Sequence, residues 1–210
     1  MFQIRLAEPS DRDQLVEICL KTGYRGEDAS HLYNLKTILG DFYITPYLES
    51  EPGLVFVLTL EGVPVGYSAA ALDTRRFWKF MEEQYLPRAR AQYLLYLAGF
   101  TEAEANLWPN FLAISELPTE LVDRYPSHLH IDLLPAAAGK GMGRALMQIL
   151  LDALADVGSP GVHLIVDAKN PRAIGFYRHF GFQEWAADDD GITMVMPFSS
   201  SPNKQFVTNS

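Results

Sequence analysis

Two segments decide the fold: residues 128–146 read HLHIDLLPAAAGKGMGRAL, and residues 167–182 read DAKNPRAIGFYRHFGF. In the first, a predicted strand ends at Pro135, and a turn with three glycines leads into an amphipathic helix from Gly143 to Val157. Glycine lets backbone N–H groups converge at the positive end of a helix, which favours a phosphate. The alternative is a turn that only permits tight packing of strand and helix.

Neither of two common phosphate motifs fits this turn. A Walker loop needs Gly, four residues and then Gly-Lys-Ser/Thr, and the dinucleotide fingerprint needs a glycine where Arg144 stands. The second segment follows a predicted strand and forms a helix with clear end points. Asn170 is a favourable N-cap, Pro171 suits the first helical position, and Gly181 suits the end.

Together the two segments resemble the GNAT family of N-acetyltransferases. That family carries Arg/Gln-x-x-Gly-x-Gly/Ala before one helix and Asn-x-x-Ala-x-x-Phe-Tyr-x-x-x-Gly-Phe in the next. The second pattern matches in full, whereas the first has Ala138 in place of Arg or Gln. The resemblance implies an α/β domain of the GNAT fold, with a mixed, mainly antiparallel sheet, helices on both faces and a splayed pair of strands that holds acetyl-CoA.

The resemblance also implies a mechanism and a site. Acetyl transfer is direct, without an acyl-enzyme and without a metal, and Tyr177 matches the family tyrosine that protonates the leaving thiolate. Acetyl-CoA, the co-substrate, is expected to contact Leu133, Leu134, Ala138, Gly139, Lys140, Gly141, Met142, Gly143, Arg144, Asn170, Ala173 and Tyr177. Leu133 and Leu134 would act through their backbone groups, and the loss of one side chain at Ala138 would weaken the hold on the pyrophosphate.

The general base is open between two residues. His128, His130 and Asp132 alternate with apolar residues along the strand, so their side chains share one face. His130 and Asp132 lie where the resemblance places the acetyl group, and imidazole and carboxylate both suit base catalysis. For each, the alternative is a hydrogen-bonded core or rim residue.

Composition excludes several classes. With 26 acidic and 17 basic residues the formal net charge is −9, which argues against nucleic acid as the main partner. Residues 136–182 carry five basic and three acidic residues, a net of 5 − 3 = +2, which suggests an anionic ligand in this part of the chain; the alternative is a chance scatter of charge. The single cysteine, Cys19, excludes an intrachain disulfide and is predicted to pack on an apolar helix face. Without a signal-like start or a long apolar run, we expect a cytoplasmic protein that is not bound to a membrane.

The rest of the chain is predicted as one domain, residues 1–198, with a helical, aromatic-rich insertion at 73–126 and a flexible tail at 199–210. Alternation predicts a strand at Phe2–Leu6, and Ser10 is expected to cap a helix with Leu15, Ile18, Cys19 and Thr22 on one face. A helix over Ser30–Leu39 and a hairpin of Leu54–Leu60 and Val63–Leu72 around Glu61-Gly62 complete this half.

A narrower resemblance, to the acetyltransferase-like C-terminal domain of O-GlcNAcase and its bacterial relatives, rests on four features. These are the opening segment, Val65-Gly66-Tyr67, the aromatic insertion and Tyr125-Pro126-Ser127. The preferred function is transfer of acetyl from acetyl-CoA to a primary amine, either a small amine or a lysine of a basic peptide. The alternative is an inactive acetyl-CoA-binding module for interaction or sensing.

Overall fold

One seven-stranded sheet organises the computed structural model, which describes residues 1–188 and 191–198. Its strands are β1 Phe2–Leu6, β2 Val55–Leu60, β3 Val63–Ala71, β4 Ser127–Leu133, β5 Gly161–Asp167, β6 Gln183–Ala187 and β7 Gly191–Pro197. The order across the sheet is β1-β2-β3-β4-β5-β7-β6, and only the β4–β5 pair is parallel. The predicted mixed, mainly antiparallel sheet is confirmed.

Helices cover both faces of this sheet. They are α1 Arg12–Thr22, α2 Ile38–Tyr43, α3 Thr45–Ser50, α4 Thr74–Phe80, α5 Leu86–Tyr93, α6 Glu102–Leu112, α7 Thr119–Arg124, α8 Met142–Asp156 and α9 Pro171–Phe180. One apolar core contains residues from each of the helices α1 through α6, together with Val57, Tyr67 and Ala69 of the sheet. A second core joins α8 and α9 with Leu129 and Leu164 on the opposite face. In the described ranges, no helix has the length and apolar character needed to cross a bilayer.

The β4–β5 pair forms the feature that matters for function. The two strands are in register only at Ser127 with Val162 and at His128 with His163. Beyond these two positions, β4 and β5 make no backbone pairing and diverge. The predicted splayed pair therefore exists, and a gap opens in the middle of the sheet.

Two predictions in the first half are wrong in detail. Residues 30–37 form turns, and α2 begins only at Ile38, because tertiary contacts use the local polar groups. The Leu35 N–H donates to the Glu104 carboxylate at 2.6 Å, and the Lys36 ammonium donates to the Ser30 carbonyl at 2.7 Å.

The second error concerns the start of the first helix. Ser10 makes no capping hydrogen bond. Instead, buried Asp11 accepts the Glu8 N–H at 2.7 Å and pairs with Arg5 at 2.7 Å. The hairpin is confirmed, since Glu61 (φ 53°) and Gly62 (φ 83°) form a left-handed turn.

The segment between β3 and β4 is helical and is fixed to α2 by a buried carboxylate. Asp41, 3% exposed, accepts hydrogen bonds from Arg12 at 2.6 Å and from the Tyr93 hydroxyl of α5. The Tyr85 hydroxyl donates to the Asp41 carbonyl at 2.5 Å. These contacts hold the segment against the same core as the sheet. The predicted tail, residues 199–210, lies outside the described residues.

Candidate active site

A cavity of about 970 Å³ occupies the gap between the diverging strands β4 and β5. We call it the main cavity. Its walls come from residues 129–133 of β4, 165–167 of β5, the glycine loop before α8, the inner face of α9, and one side of α1 and α6. The two sequence segments that decide the fold thus form two walls of a single concavity.

The glycine loop owes its composition to backbone conformation. Gly139 (φ 72°) and Gly141 (φ 74°) are left-handed, and a Cβ at either position would meet no atom within 4 Å. A Cβ at Gly143 would make only ordinary contacts, the nearest with Leu133 at 3.6 Å. The alternative that these glycines serve tight packing is therefore not supported. Gly141 also caps α8 without a side-chain hydrogen bond, which leaves the first N–H groups of a 15-residue helix available to an anion.

Not every predicted loop residue reaches the main cavity. Ala138, Gly139, Gly141, Gly143 and Arg144 line it. The Arg144 guanidinium lies over the Phe180 ring and 3.0 Å from Nε2 of His179, at the cavity wall.

Lys140 and Met142 lie elsewhere. The Lys140 ammonium donates to the Ala136 carbonyl at 2.9 Å and sits over the Phe2 ring, and Met142 packs with the apolar residues around Leu146. Neither residue lines the main cavity.

The edge of β4 offers backbone groups to an extended ligand. β3 pairs with β4 as far as Leu133, but β5 leaves β4 after His128, so the β4 groups that face β5 from Leu129 onward have no strand partner among the described residues. Leu133 lines the main cavity, whereas the Leu134 N–H donates to the Val65 carbonyl at 2.9 Å. An extended ligand that carries amide groups can form backbone-type hydrogen bonds along such an unpaired strand edge.

Tyr177 enters the main cavity from α9. Asn170 caps this helix by accepting the Ala173 N–H at 3.0 Å, and left-handed Gly181 (φ 98°) ends it. The Tyr177 ring packs on Phe176 and Phe182, yet its hydroxyl has no hydrogen-bond partner within residues 1–188 and 191–198. Burial, with a smaller effect from the charge of Asp132, raises the pKa of Tyr177, so the phenol stays protonated at neutral pH.

Asp132 faces the same cavity from β4 and is oriented by Tyr67. The Tyr67 hydroxyl donates to Asp132 Oδ2 at 2.5 Å, and the two residues are directly opposite in the β3–β4 register. Burial raises the pKa of Asp132, and the hydrogen bond from Tyr67 partly opposes that rise. Cys19 of α1 is 3% exposed at the same wall, and burial raises the pKa of its thiol far above neutrality.

The two histidines of β4 differ in their partners. His128 uses both ring nitrogens: Nδ1 lies 2.7 Å from the Thr74 hydroxyl, and Nε2 lies 2.7 Å from the Tyr47 hydroxyl. Since Thr74 donates its own proton to the Pro126 carbonyl, Nδ1 of His128 donates and Nε2 accepts. His130 packs against the rings of Tyr43 and Tyr47, and burial lowers its pKa to about 4. Both imidazoles are neutral at pH 7.

Sequence reasoning missed several residues of the main cavity. Arg25, in the loop after α1, donates from Nε to Asp167 at the end of β5 at 3.0 Å, a contact across 142 positions of sequence. Asn106 and Asn110 of α6 also line the cavity. Tyr67 does not line the cavity but orients Asp132 by a hydrogen bond, and the alternation of β3 places its side chain on the face shared with Asp132.

The family model of the acetyltransferase (GNAT) family matches residues 23–182. The chain belongs to this family. The crystal structure of SsHAT is 30% identical to this GNAT protein, with a TM-score of 0.79 over 93% of this chain and 98% of that chain. The PaiA N-acetyltransferase from Thermoplasma acidophilum, solved with coenzyme A, is 14% identical, with a TM-score of 0.55 over 94% of this chain and 98% of that one. This second likeness concerns the fold alone.

Curated relatives of this GNAT protein match over shorter segments. A mycothiol acetyltransferase from Renibacterium salmoninarum is 38% identical over 77 residues, which is 36% of this chain and 22% of that protein. A second, from Parafrankia sp., is 43% identical over 58 residues, 28% of this chain and 18% of that protein. The matched part therefore spans about a fifth of the length of these relatives.

Proposed function

We propose that this protein transfers acetyl from acetyl-CoA directly to a primary amine, either a small amine or a lysine side chain. One observation carries the proposal. The unpartnered hydroxyl of Tyr177 and the carboxylate of Asp132 face the same cavity, at the point where β4 and β5 part and next to a glycine loop suited to an anion. A proton donor and a proton acceptor on opposite walls are what amine acetylation requires.

The residues of the main cavity suit acetyl-CoA as a ligand. The N–H groups of residues 139–144 would hold the pyrophosphate, with Lys140 and Met142 taking part through the backbone and Arg144 through its charge. The free edge of β4 at Leu133 would pair with the amides of the pantetheine arm, and Ala173 and Asn170 would border it on α9. Leu134 is the weakest member of the predicted set, because its N–H is bonded to Val65. Acetyl-CoA supplies the activated thioester carbonyl.

Asp132 and Tyr177 move the protons in this scheme. Asp132 takes one proton from the incoming ammonium and passes it to solvent, which leaves a neutral amine. The nitrogen lone pair forms the C–N bond as the C–S bond breaks. Tyr177 gives its proton to the sulfur, and the second nitrogen proton restores the phenol. In sum, an ammonium and a thioester give an amide, a thiol and one proton.

Asp132 suits the base role better than His130. Burial raises the pKa of Asp132, which makes it a stronger base than an ordinary aspartate, whereas burial lowers the pKa of His130 to about 4, which makes it a weaker base than an ordinary histidine. Asp132 is also held in one orientation by Tyr67, while no described side chain hydrogen-bonds to the His130 ring. We therefore place Asp132 in the chemistry and treat His130 as part of the wall.

The second candidate function is an acetyl-CoA-binding module without catalysis. Ala138 favours it, because the missing Arg or Gln leaves pyrophosphate binding to backbone groups and Arg144. The unused proton donor at Tyr177 argues for the enzyme, since a module that only binds the cofactor needs no partner-free phenol hydroxyl facing its cavity.

The test combines binding and turnover. Calorimetry measures the affinity for acetyl-CoA, and thiol release is then followed with a panel of amines and basic peptides for the wild type, Asp132→Asn and His130→Gln. The proposal expects micromolar binding in all three and a loss of turnover of about 10²-fold or more only in Asp132→Asn. Binding without acetylation of any amine would establish the module instead.

We also propose the narrower kinship with the acetyltransferase-like domain of O-GlcNAcase. Its support is that Tyr67 and the aromatic insertion, two of the features behind that resemblance, bear on the main cavity. Tyr67 orients Asp132, and α6 of the insertion provides the wall with Asn106 and Asn110. A shared arrangement of this wall in a crystal structure of that domain would test the kinship, and a differently placed insertion would refute it.

A further inference from the structure

A second cavity of about 360 Å³ lies beside the main cavity, on the face of the sheet that carries α2 to α4. We call it the side cavity. The two cavities share the residues Tyr43, Asn110, Leu129, His130 and Ile165, so they are separated by little more than these side chains. The side cavity therefore offers space for the remaining atoms of a molecule whose reacting nitrogen lies near Asp132.

The lining of the side cavity is aromatic and aliphatic. Tyr47 and Phe77 stack with ring centroids 4.4 Å apart, and Trp78 and Ile114 close the wall next to them. The polar groups there are hydroxyl, amide and imidazole groups, and His128 has both nitrogens bonded within the protein. Pockets of this size and composition bind small molecules rather than extended polar chains.

Among the described residues, no Asp, Glu, Lys or Arg lines the side cavity. Its three histidines, His128, His130 and His163, are neutral, because burial lowers the pKa of each. A cationic group placed there would lose its hydration and gain no carboxylate partner, which is unfavourable. Although the chain has a net charge of −9, none of the described acidic residues lines the side cavity.

The main cavity also adds little negative charge that could bind a cationic acceptor. Within residues 1–188 and 191–198, two carboxylates line it, Asp132 and Asp167, and Asp167 is already paired with Arg25. Asp132 is therefore the carboxylate available to one ammonium, the one that reacts. A basic peptide with several cationic side chains finds, in the part of the chain that the structure describes, no further unpaired carboxylate lining this cavity.

We propose that the acceptor is a small primary amine whose other end is uncharged and apolar, of the alkylamine or arylalkylamine class, and that this end occupies the side cavity. This inference rests on the proposed acetyl transfer and narrows its acceptor. Tyr43, Tyr47, Phe77 and Trp78 would contact the apolar end, while Asp132 receives the amine.

The experiment compares three acceptors on the wild-type protein with saturating acetyl-CoA: pentylamine, 1,5-diaminopentane and a lysine-containing basic peptide. The first two have the same chain length and differ in a second ammonium. We expect kcat/KM for pentylamine to exceed that for the diamine by about tenfold or more, since the second charge would enter an uncharged cavity. The peptide should be a still poorer acceptor.

Ile114 gives a matched pair of variants, because it is half-buried at the side cavity and does not line the main cavity, which holds Asp132 and Tyr177. Ile114→Glu adds a carboxylate, and Ile114→Gln adds nearly the same volume without charge. The glutamate should raise the diamine-to-pentylamine ratio of kcat/KM by about fivefold, the value of one exposed ion pair, and the glutamine should leave the ratio near that of the wild type.

The outcomes separate this inference from the function on which it depends. A preference for the diamine or the peptide in the wild type, or an equal shift in both Ile114 variants, overturns the apolar acceptor and leaves acetyl transfer intact. Binding of acetyl-CoA with no acetylation of any of the three overturns the proposed function, and the acceptor class with it.

Discussion

Replacing Tyr177 by phenylalanine tests the chemistry most directly, because the structure separates the effect on rate from the effect on stability. The ring remains between Phe176 and Phe182, and the deleted hydroxyl has no hydrogen-bond partner among the described residues. The change therefore leaves no buried group unsatisfied, and the free energy of unfolding should stay within about 1 kcal/mol of the wild type. Affinity for acetyl-CoA should also change little.

Turnover should respond very differently. Loss of a positioned general acid lowers kcat by about 10²–10⁴-fold, which corresponds to roughly 2.7–5.4 kcal/mol of transition-state stabilisation. Because burial raises the pKa of Tyr177, the phenol keeps its proton throughout the neutral range. The wild type should therefore show no fall in kcat between pH 7 and 9 that depends on this residue.

Tyr67→Phe is the matched control, because it removes a hydroxyl that does have a partner. That hydroxyl donates to Asp132 at 2.5 Å, so its loss should cost about 1.5–3 kcal/mol of stability and raise the pKa of Asp132 further. Its rate profile should move to higher pH, whereas that of Tyr177→Phe should drop at every pH. Thiol release measured from pH 6 to 9, with chemical denaturation on the same samples, provides both readings. A Tyr177→Phe protein as fast as the wild type would refute the role of the phenol.

Three further outcomes are expected. Gly141→Glu should weaken acetyl-CoA binding in calorimetry by about tenfold or more, because the carboxylate repels the pyrophosphate. Gly141→Ala shares the backbone strain at φ 74° but adds no charge, so it should bind acetyl-CoA far better than Gly141→Glu. Equal losses in the two variants would mean that strain alone matters. The pKa of His130 is lowered in the folded state, so its contribution to stability is present above pH 6.5 and is lost as the pH falls toward 4. Between pH 7 and pH 5 this loss is about 2 kcal/mol, and urea unfolding should show it reduced in His130→Gln; identical slopes in the two proteins would contradict it. Cys19→Ala should retain acetyl transfer, because the buried thiol stays protonated, and an acetylated Cys19 trapped during turnover would overturn direct transfer.

Local sequence determined the cofactor side of this protein. The glycine loop, the Asn170 cap, Pro171 and Gly181 act within a few residues of chain, since cap and left-handed conformations depend on the residue and its neighbours. The helix over Pro171–Phe180 could therefore be predicted closely. The sheet and the α/β class also followed from short-range alternation, together with the family resemblance. Which of these residues contact acetyl-CoA stays a prediction.

Tertiary structure decided the part of the site where we propose that the acceptor binds. Residues 30–37 are turns because Glu104, from 69 positions away, accepts the Leu35 N–H, and no local pattern contains that contact. The Arg25–Asp167 pair and the wall of α6 arise in the same way from segments that are distant in sequence. The proposal of Asp132 rather than His130 as the base rests on burial and orientation, since both residue types can serve as a base in water. Desolvation by the surrounding core raises the pKa of the carboxyl group and lowers that of the imidazole, and only the folded chain provides that core.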